Sequence, residues 1–174
     1  KVDYYGGGVY VWYGGLVENC TISGNSMINW WYGGAGAYGG TLRNCVIRGN
    51  VTVGNNAHGA GAYNAALRNC LIIGNTGSGA GSFGAGVRGG TLDNCTVVGN
   101  WGDTCGGVYA STYISNSIVY YNTASNTASA GTNISGGTVV FSCSPDLTNP
   151  VNGNITSDPQ FKNPGTGYGM YQSG

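Results

Sequence analysis

Leu42-Arg-Asn-Cys-Val-Ile-Arg-Gly-Asn50 decides the reading of this chain, because its pattern returns at a spacing of 25 residues. The other copies are Val17-Glu-Asn-Cys-Thr-Ile-Ser-Gly-Asn25, Leu67-Arg-Asn-Cys-Leu-Ile-Ile-Gly-Asn75 and Leu92-Asp-Asn-Cys-Thr-Val-Val-Gly-Asn100. A repeat of this size with one fixed phase is a turn of a coil that cannot bury its own apolar residues and must stack on its neighbours. A fifth copy, Ile114-Ser-Asn-Ser-Ile-Val-Tyr-Tyr-Asn122, arrives 22 residues later with serine in the cysteine position. The connecting segment shortens while the core of the repeat is kept.

Within the phrase, apolar and polar positions alternate with period two on both sides of the asparagine, which reads as two short strands and a corner. Leu42, Cys45 and Ile47 are assigned inward; Arg43, Val46 and Arg48 are assigned outward. Asparagine tolerates a left-handed backbone, and its amide can bond to the asparagine above and below. Asn19, Asn44, Asn69, Asn94 and Asn116 are therefore expected to form a corner ladder. The pairs Gly24-Asn25, Gly49-Asn50, Gly74-Asn75 and Gly99-Asn100 form a second corner. A third strand is placed in the Gly/Ala-rich stretches Gly33–Tyr38 and Gly59–Tyr63.

Cys20, Cys45, Cys70 and Cys95 are expected to form a buried, reduced column. In-register strands lie about 4.8 Å apart, whereas a disulfide holds its Cβ atoms about 3.8 Å apart. Cys143 is expected to continue the column after Ser117, and Cys105 falls outside the repeat phase. Three strands per coil give an all-β fold, a right-handed parallel β-helix with coils of about 22–26 residues. A helical reading fails, since each interior Gly costs about 1 kcal/mol. A sandwich would not make its strands copies of one another.

The chain of 174 residues shows no break in composition and reads as a single β-helix domain over 1–174. Repeat coils run from residue 6 to 122, and less regular terminal coils and a tail occupy 123–174. Charged residues make up 7% and the formal net charge is zero, so nothing electrostatic favours nucleic acid or an anionic membrane. No apolar run approaches the roughly 20 residues of a transmembrane helix. The chain opens at Lys1 directly before repeat-like text and reads as a mature piece of something longer.

The phrases resemble the repeats of secreted bacterial right-handed β-helix proteins, whose coils read Gly-Gly, small apolar, Asn-Cys or Asn-Ser, Ile or Val, then Gly-Asn. The tail Gly153-Asn-Ile-Thr-Ser-Asp-Pro-Gln-Phe161, followed by Gly165-Thr-Gly-Tyr168, is similar to the closing segment of choice-of-anchor surface proteins. The Ser-Pro and acidic motif that usually follows there is missing from this sequence. The resemblance implies a secreted or cell-surface protein of adhesin-like or matrix type. The same fold also carries polysaccharide lyases and hydrolases.

Enzymes of that kind need carboxylates clustered for calcium or for proton transfer, or a Lys or Arg base beside the sugar. Here the acids Asp3, Glu18, Asp93, Asp103, Asp146 and Asp158 are scattered. Glu18, Arg43, Arg68 and Asp93 share one phase and read as a surface charge ladder with paired ends. Asp158 precedes Pro159 and reads as a turn former, and His58 stands alone. No catalytic, cofactor-binding or metal-binding residue is assigned. The outward residues Val46, Leu71, Ile73, Val98, Ile118 and Tyr120 read either as an exposed apolar stripe, a candidate contact surface together with Trp30, Trp31 and Trp101, or as a stripe over which a loop or the tail folds. Tyr4, Tyr5, Tyr10, Trp12, Tyr13, Trp30, Trp31, Tyr32, Tyr38, Tyr63 and Trp101 make up an aromatic load, most of it in the variable segments, which stacks on sugars, forms subunit contacts or covers the coil. Asn19, Asn50, Asn94, Asn133 and Asn154 sit in Asn-x-Thr/Ser, where corner duty explains the first three. The expected function is an extracellular structural or adhesin-like β-helical protein whose partner is itself, in a fibre or surface matrix, or a surface polysaccharide. The alternative is a polysaccharide-binding or polysaccharide-degrading domain.

Overall fold

A computed structural model describes residues 6–12, 14–28, 33–126, 132–148 and 151–161. The strands stack in parallel register into four sheets, so the chain is an all-β parallel solenoid. Sheet I contains Val9–Tyr10, Ala37–Tyr38, Ala62–Tyr63, Val87–Arg88, Val108–Tyr109 and Ile134–Ser135. Sheet II contains Leu16–Glu18, Thr41–Arg43, Ala66–Arg68, Thr91–Asp93, Tyr113–Ser115 and Thr138–Val140. Sheet III contains Thr21–Ser23, Val46–Arg48, Leu71–Ile73, Thr96–Val98 and Ile118–Tyr120. Sheet IV contains Ser26–Ile28, Val51–Val53, Thr76–Ser78, Trp101–Gly102 and Thr123–Ala124.

Each coil thus has four strands where the sequence reading gave three. The additional strand follows the Gly-Asn corner. Its inward residues change along the sheet, Met27, Thr52, Gly77 and Gly102, although all four are buried.

Like stacks on like inside the coil. Leu42, Leu67 and Leu92 line sheet II, Ile22, Ile47 and Ile72 line sheet III, and Ala37, Ala62 and Val87 line sheet I; all are buried in one continuous core. Burying a side chain of this size contributes about 1.5–3 kcal/mol, so the repeat gains its stability along the axis rather than within one coil. Between sheets the backbone turns through left-handed residues. Between sheets II and III these are Asn19, Asn44, Asn69, Asn94 and Asn116, with φ from 49° to 54°. Between sheets I and II, from Tyr38 onward, the turns are Gly39-Gly40, Asn64-Ala65, Gly89-Gly90, Ala110-Ser111 and Gly136-Gly137. At Gly90 a Cβ would lie 2.0 Å from the Ala65 carbonyl oxygen, so only glycine fits there.

Two asparagine ladders run along the solenoid in opposite senses. In the exposed one, Asn44, Asn69 and Asn94 each donate from Nδ2 to Oδ1 of the preceding asparagine, at 3.2, 3.2 and 2.6 Å. Asn116 leaves the ladder and donates to Asp93 Oδ1 at 3.1 Å instead. The second ladder starts at the Gly-Asn corner with Asn25, Asn50, Asn75 and Asn100, continues through Asn122 and Asn133, and is buried from Asn50 onward. Each of the first five donates both its backbone N–H and its Nδ2 to Oδ1 of the next, at 2.8–3.1 Å. The sequence reading treated these residues as a corner only. Burial leaves the amides no water to bond with, so the ladder satisfies groups that would otherwise destabilise the core.

All six cysteines are free. Cys45, Cys70 and Cys95 are buried, whereas Cys20 is exposed, a correction to the four-membered buried column. No described coil lies over Cys20 on its outer side. Cys143 is also displaced from its expected place: it pairs with Ile118, and the residue that follows Ser117 in the column is Ser142, whose Oγ accepts the Ser117 N–H at 3.1 Å. Phe141, with φ of 50°, takes the corner position that asparagine holds in the earlier coils, which shifts the apparent phase by one residue.

Candidate binding face

Sheet I turns one residue per coil outward, giving the register Tyr10, Tyr38, Tyr63, Arg88, Tyr109 and Ser135. Each follows a core residue, so strand alternation puts it on the surface. Tyr10 stacks on Tyr38 and Tyr38 on Tyr63, both with ring centroids 5.3 Å apart and interplanar angles of 28° and 17°. Strands about 4.8 Å apart impose nearly that separation, which lies within the favourable range for aromatic pairs. Arg88 takes the next step of the column. Its guanidinium carbon lies 5.2 Å from the Tyr63 ring centroid, and Nη1 donates to the Tyr63 hydroxyl at 2.6 Å.

A second row flanks the first. His58 packs 5.4 Å from Phe83, and Phe83 packs 4.6 Å from Tyr109. Mutual stacking occupies the tyrosine faces, so the column offers ring edges and hydroxyls along the axis. At the N-terminal end Trp12 is 63% exposed with its ring 5.6 Å from Tyr10. Arg88 and Tyr109 were not singled out from the sequence. The available signal for Arg88 was its place directly before a glycine pair, as in Tyr38-Gly-Gly and Arg88-Gly-Gly, whereas Tyr109 is followed by Ala110-Ser111.

His58 is not a loop residue but a buried one, bridged in parallel to Gly33. Its Nδ1 accepts the Phe83 N–H at 3.3 Å. Burial, with a smaller contribution from the Arg88 charge, pushes its pKa down to about 4, so the imidazole is neutral near pH 7.

Each described carboxylate bonds at its own point of the solenoid. Glu18 pairs with Arg43. Asp93 accepts from Asn116 and Ser115, which hold its carboxyl below the usual range. The charge column is therefore an ion pair at one end; at the other, Asp93 bonds to neutral groups and feels Arg68 only through its field. Asp103 accepts the Gly81 N–H at 2.8 Å and the Ser125 hydroxyl at 3.0 Å. Asp146 Oδ2 accepts the N–H groups of Asn133 and Ile134 at 2.7 and 2.9 Å. Asp158 accepts the Tyr121 hydroxyl and the Gln160 N–H. Asp3 lies outside the described residues. Among the described residues no three His, Cys, Asp or Glu side chains gather as a metal site.

Most of the thiols are buried, and in the Cys70–Cys95 pair a shared hydrogen bond lowers the Cys70 pKa to about 7. Burial raises the pKa of Cys45 and pushes that of Cys105 up to about 12. Cys95 is held still higher by its hydrogen bond to Cys70 and by burial. Cys105, whose place the sequence left open, continues the row of His58 and Phe83 by a bridge to Phe83 and is fully buried.

The apolar stripe is less exposed than expected. Ile73 is buried, and Val46, Leu71, Val98, Ile118 and Tyr120 are half-buried. In-register neighbours cover one another, and the segment around Thr156 lies against the C-terminal end, where Tyr120 donates to the Thr156 carbonyl at 3.3 Å. Trp101 is half-buried in sheet IV, while Tyr4, Tyr5, Tyr13, Trp30, Trp31 and Tyr32 lie outside the described residues. Asn50, Asn133 and Asn154 are buried, so their Asn-x-Thr/Ser motifs serve the interior.

Among the described residues no helix is long and apolar enough to cross a membrane. No curated protein and no solved structure matches the chain. Residues 7–174 match the family described as the right handed beta helix region. With that match over nearly its whole length, and parallel coils in register throughout, the chain belongs to the right-handed β-helix family.

Proposed function

We propose that this chain is a non-catalytic, extracellular structural β-helix of adhesin-like or surface-matrix type that holds a polysaccharide along its tyrosine column. The supporting observation is the fate of the acids. Glu18, Asp93, Asp103, Asp146 and Asp158 each serve as an acceptor for a different part of the coil, and among the described residues no two of them share a hydrogen-bond donor. Glycoside cleavage by the usual routes uses two carboxylates on either side of the bond. Binding requires less: a linear row of ring edges and hydroxyls on a rigid support, with an exposed indole at its end. Incubation with acidic and neutral polysaccharides, with monitoring of new reducing ends and unsaturated products, tests the reading. Retention of a polymer without turnover is expected. Steady product formation would replace this reading with an enzyme of the lyase or hydrolase class.

A further inference from the structure

The inward column of sheet IV, Met27, Thr52, Gly77 and Gly102, loses side-chain volume along the axis, and its two glycines have different causes. At Gly102 a Cβ would lie 2.6 Å from the Cys105 carbonyl oxygen, so the backbone itself fills the place of a side chain. At Gly77 the nearest neighbours of a Cβ would be Ala85 Cβ, Ser82 Cβ and Thr52 Oγ1, each at 3.5 Å, which is ordinary van der Waals contact. The Gly77 backbone is that of a strand residue, without the left-handed φ that favours glycine. Neither strain nor a close approach requires glycine there, although glycine weakens a strand interior.

Two of those neighbours carry unmatched hydroxyls. Thr52 is fully buried and Ser82 is 1% exposed, yet neither Thr52 Oγ1 nor Ser82 Oγ has a hydrogen-bond partner among the described residues. Thr52 faces Gly77 in register from the preceding coil, and Ser82 lies in the turn that leads from sheet IV to sheet I. Buried hydroxyls are matched as a rule, so two of them beside a glycine with room for another atom call for a shared partner. The surroundings limit what that partner is. The neighbouring side chains are two neutral hydroxyls and the Ala85 methyl, which offer an ion no opposite charge in exchange for its hydration. Three neighbours at 3.5 Å leave room for a single heavy atom rather than for an organic molecule. We propose that one internal water molecule sits beside Gly77, hydrogen-bonded to Thr52 Oγ1 and Ser82 Oγ, and ties two successive coils together where sheet IV turns into sheet I. Glycine at position 77 leaves the water its place. The site is independent of the polysaccharide-holding face.

The test fills the space and, separately, strips the hydroxyls. Gly77→Ala puts a methyl group where the water sits and leaves both hydroxyls unmatched; Thr52→Val with Ser82→Ala removes the hydroxyls and nearly keeps the shape. Thermal unfolding is measured on wild type, Gly77→Ala, the Thr52→Val/Ser82→Ala pair and the triple variant. Crystal structures of wild type and Gly77→Ala are determined at a resolution that shows ordered water. A water within hydrogen-bond reach of both hydroxyls is expected in wild type and is expected to be missing from Gly77→Ala. Gly77→Ala alone should lower the folding equilibrium constant by about tenfold. In the background without the hydroxyls the same substitution should raise it, since it then only fills space and removes a strand glycine. A wild-type crystal structure in which the two hydroxyls bond to protein groups, with no water between them, overturns the proposal. An equal shift in both backgrounds, of either sign, overturns it as well, because a dry space gains from filling and a crowded one loses, with or without the hydroxyls.

Discussion

The two ends of the described solenoid are built from the same repeat and finished differently. In the first described coil the thiol position is exposed at Cys20, and Leu16 and Ile28, in sheets II and IV, are 53% and 44% exposed. At the other end nearly every ladder is given a terminal partner. The buried asparagine ladder points its N–H groups toward the C-terminal coils, and Asp146 receives the last backbone donors from Asn133 and Ile134. The thiol column, having passed to Ser117 and Ser142, ends on Asn154, whose Oδ1 accepts the Ser142 N–H at 3.0 Å and whose Nδ2 donates to the Val139 carbonyl at 2.9 Å. A carboxylate is well suited to the donor end of stacked amides, because charge-assisted bonds are roughly twice as strong as neutral ones. A repeat therefore specifies the stack, and non-repeating residues specify where a stack closes.

The largest expected effect separates the interior from the open end. Cys70→Asp places a carboxylate in the buried column without a counter-charge and should cost more than about 4 kcal/mol, enough to unfold the central coils. Cys20→Asp should change stability by no more than about 0.5 kcal/mol, as for other exposed sites. Chemical denaturation of the two variants checks this, and thiol labelling of the native protein should modify Cys20 long before Cys45, Cys70 or Cys95. Equal labelling rates would erase the distinction between end and interior.

Next comes the buried ladder. Asn75→Ala leaves the buried Asn50 N–H without its acceptor, removes one of the two acceptors of Asn50 Nδ2 and one of the two donors to Asn100 Oδ1, and should cost about 3 kcal/mol. At the closed end, Asp146→Ala removes two charge-assisted bonds and should cost about 2 kcal/mol, with amide exchange accelerated at residues 133–140 before the central coils are affected. A uniform rise in exchange along the chain would show that Asp146 does not act as a local terminus.

Acid should loosen the interior before it loosens the closed end. The folded pKa of His58 is lowered to about 4 against an ordinary value of 6.5. Folding therefore favours the neutral imidazole, and that stability is complete above pH 6.5 and lost as the pH falls toward 4, on the order of 2 kcal/mol. His58→Gln should flatten the stability profile in this window. Asp158 behaves in the usual carboxylate sense: the Tyr121 hydroxyl and the Gln160 N–H hold its folded pKa down, so its contribution is present above the unfolded value of about 3.9 and is lost as pH falls through the folded one. This smallest effect should appear as a change in the Tyr121 ring resonances below pH 4, while the core spectra stay constant.

What the sequence determined by itself is the part that repeats. A 25-residue period with Leu, Cys and Ile at fixed phase leaves one way to bury those residues, by stacking coils in parallel register, and Leu42, Cys45 and Ile47 do lie inside. The exposed asparagine corner was legible for the same reason, since a left-handed position restricts the choice of residue. Tertiary structure alone decided what does not repeat. Sheet IV was hidden because its inward residues vary freely where the coil is wide enough to accept Met27, Thr52 or Gly102. The buried ladder steps from Asn122 to Asn133 across only 11 residues, which no period announces. The Tyr63–Arg88–Tyr109 constellation joins residues whose neighbours in sequence differ, and they meet because strand register, not local sequence, sets what lies beside what.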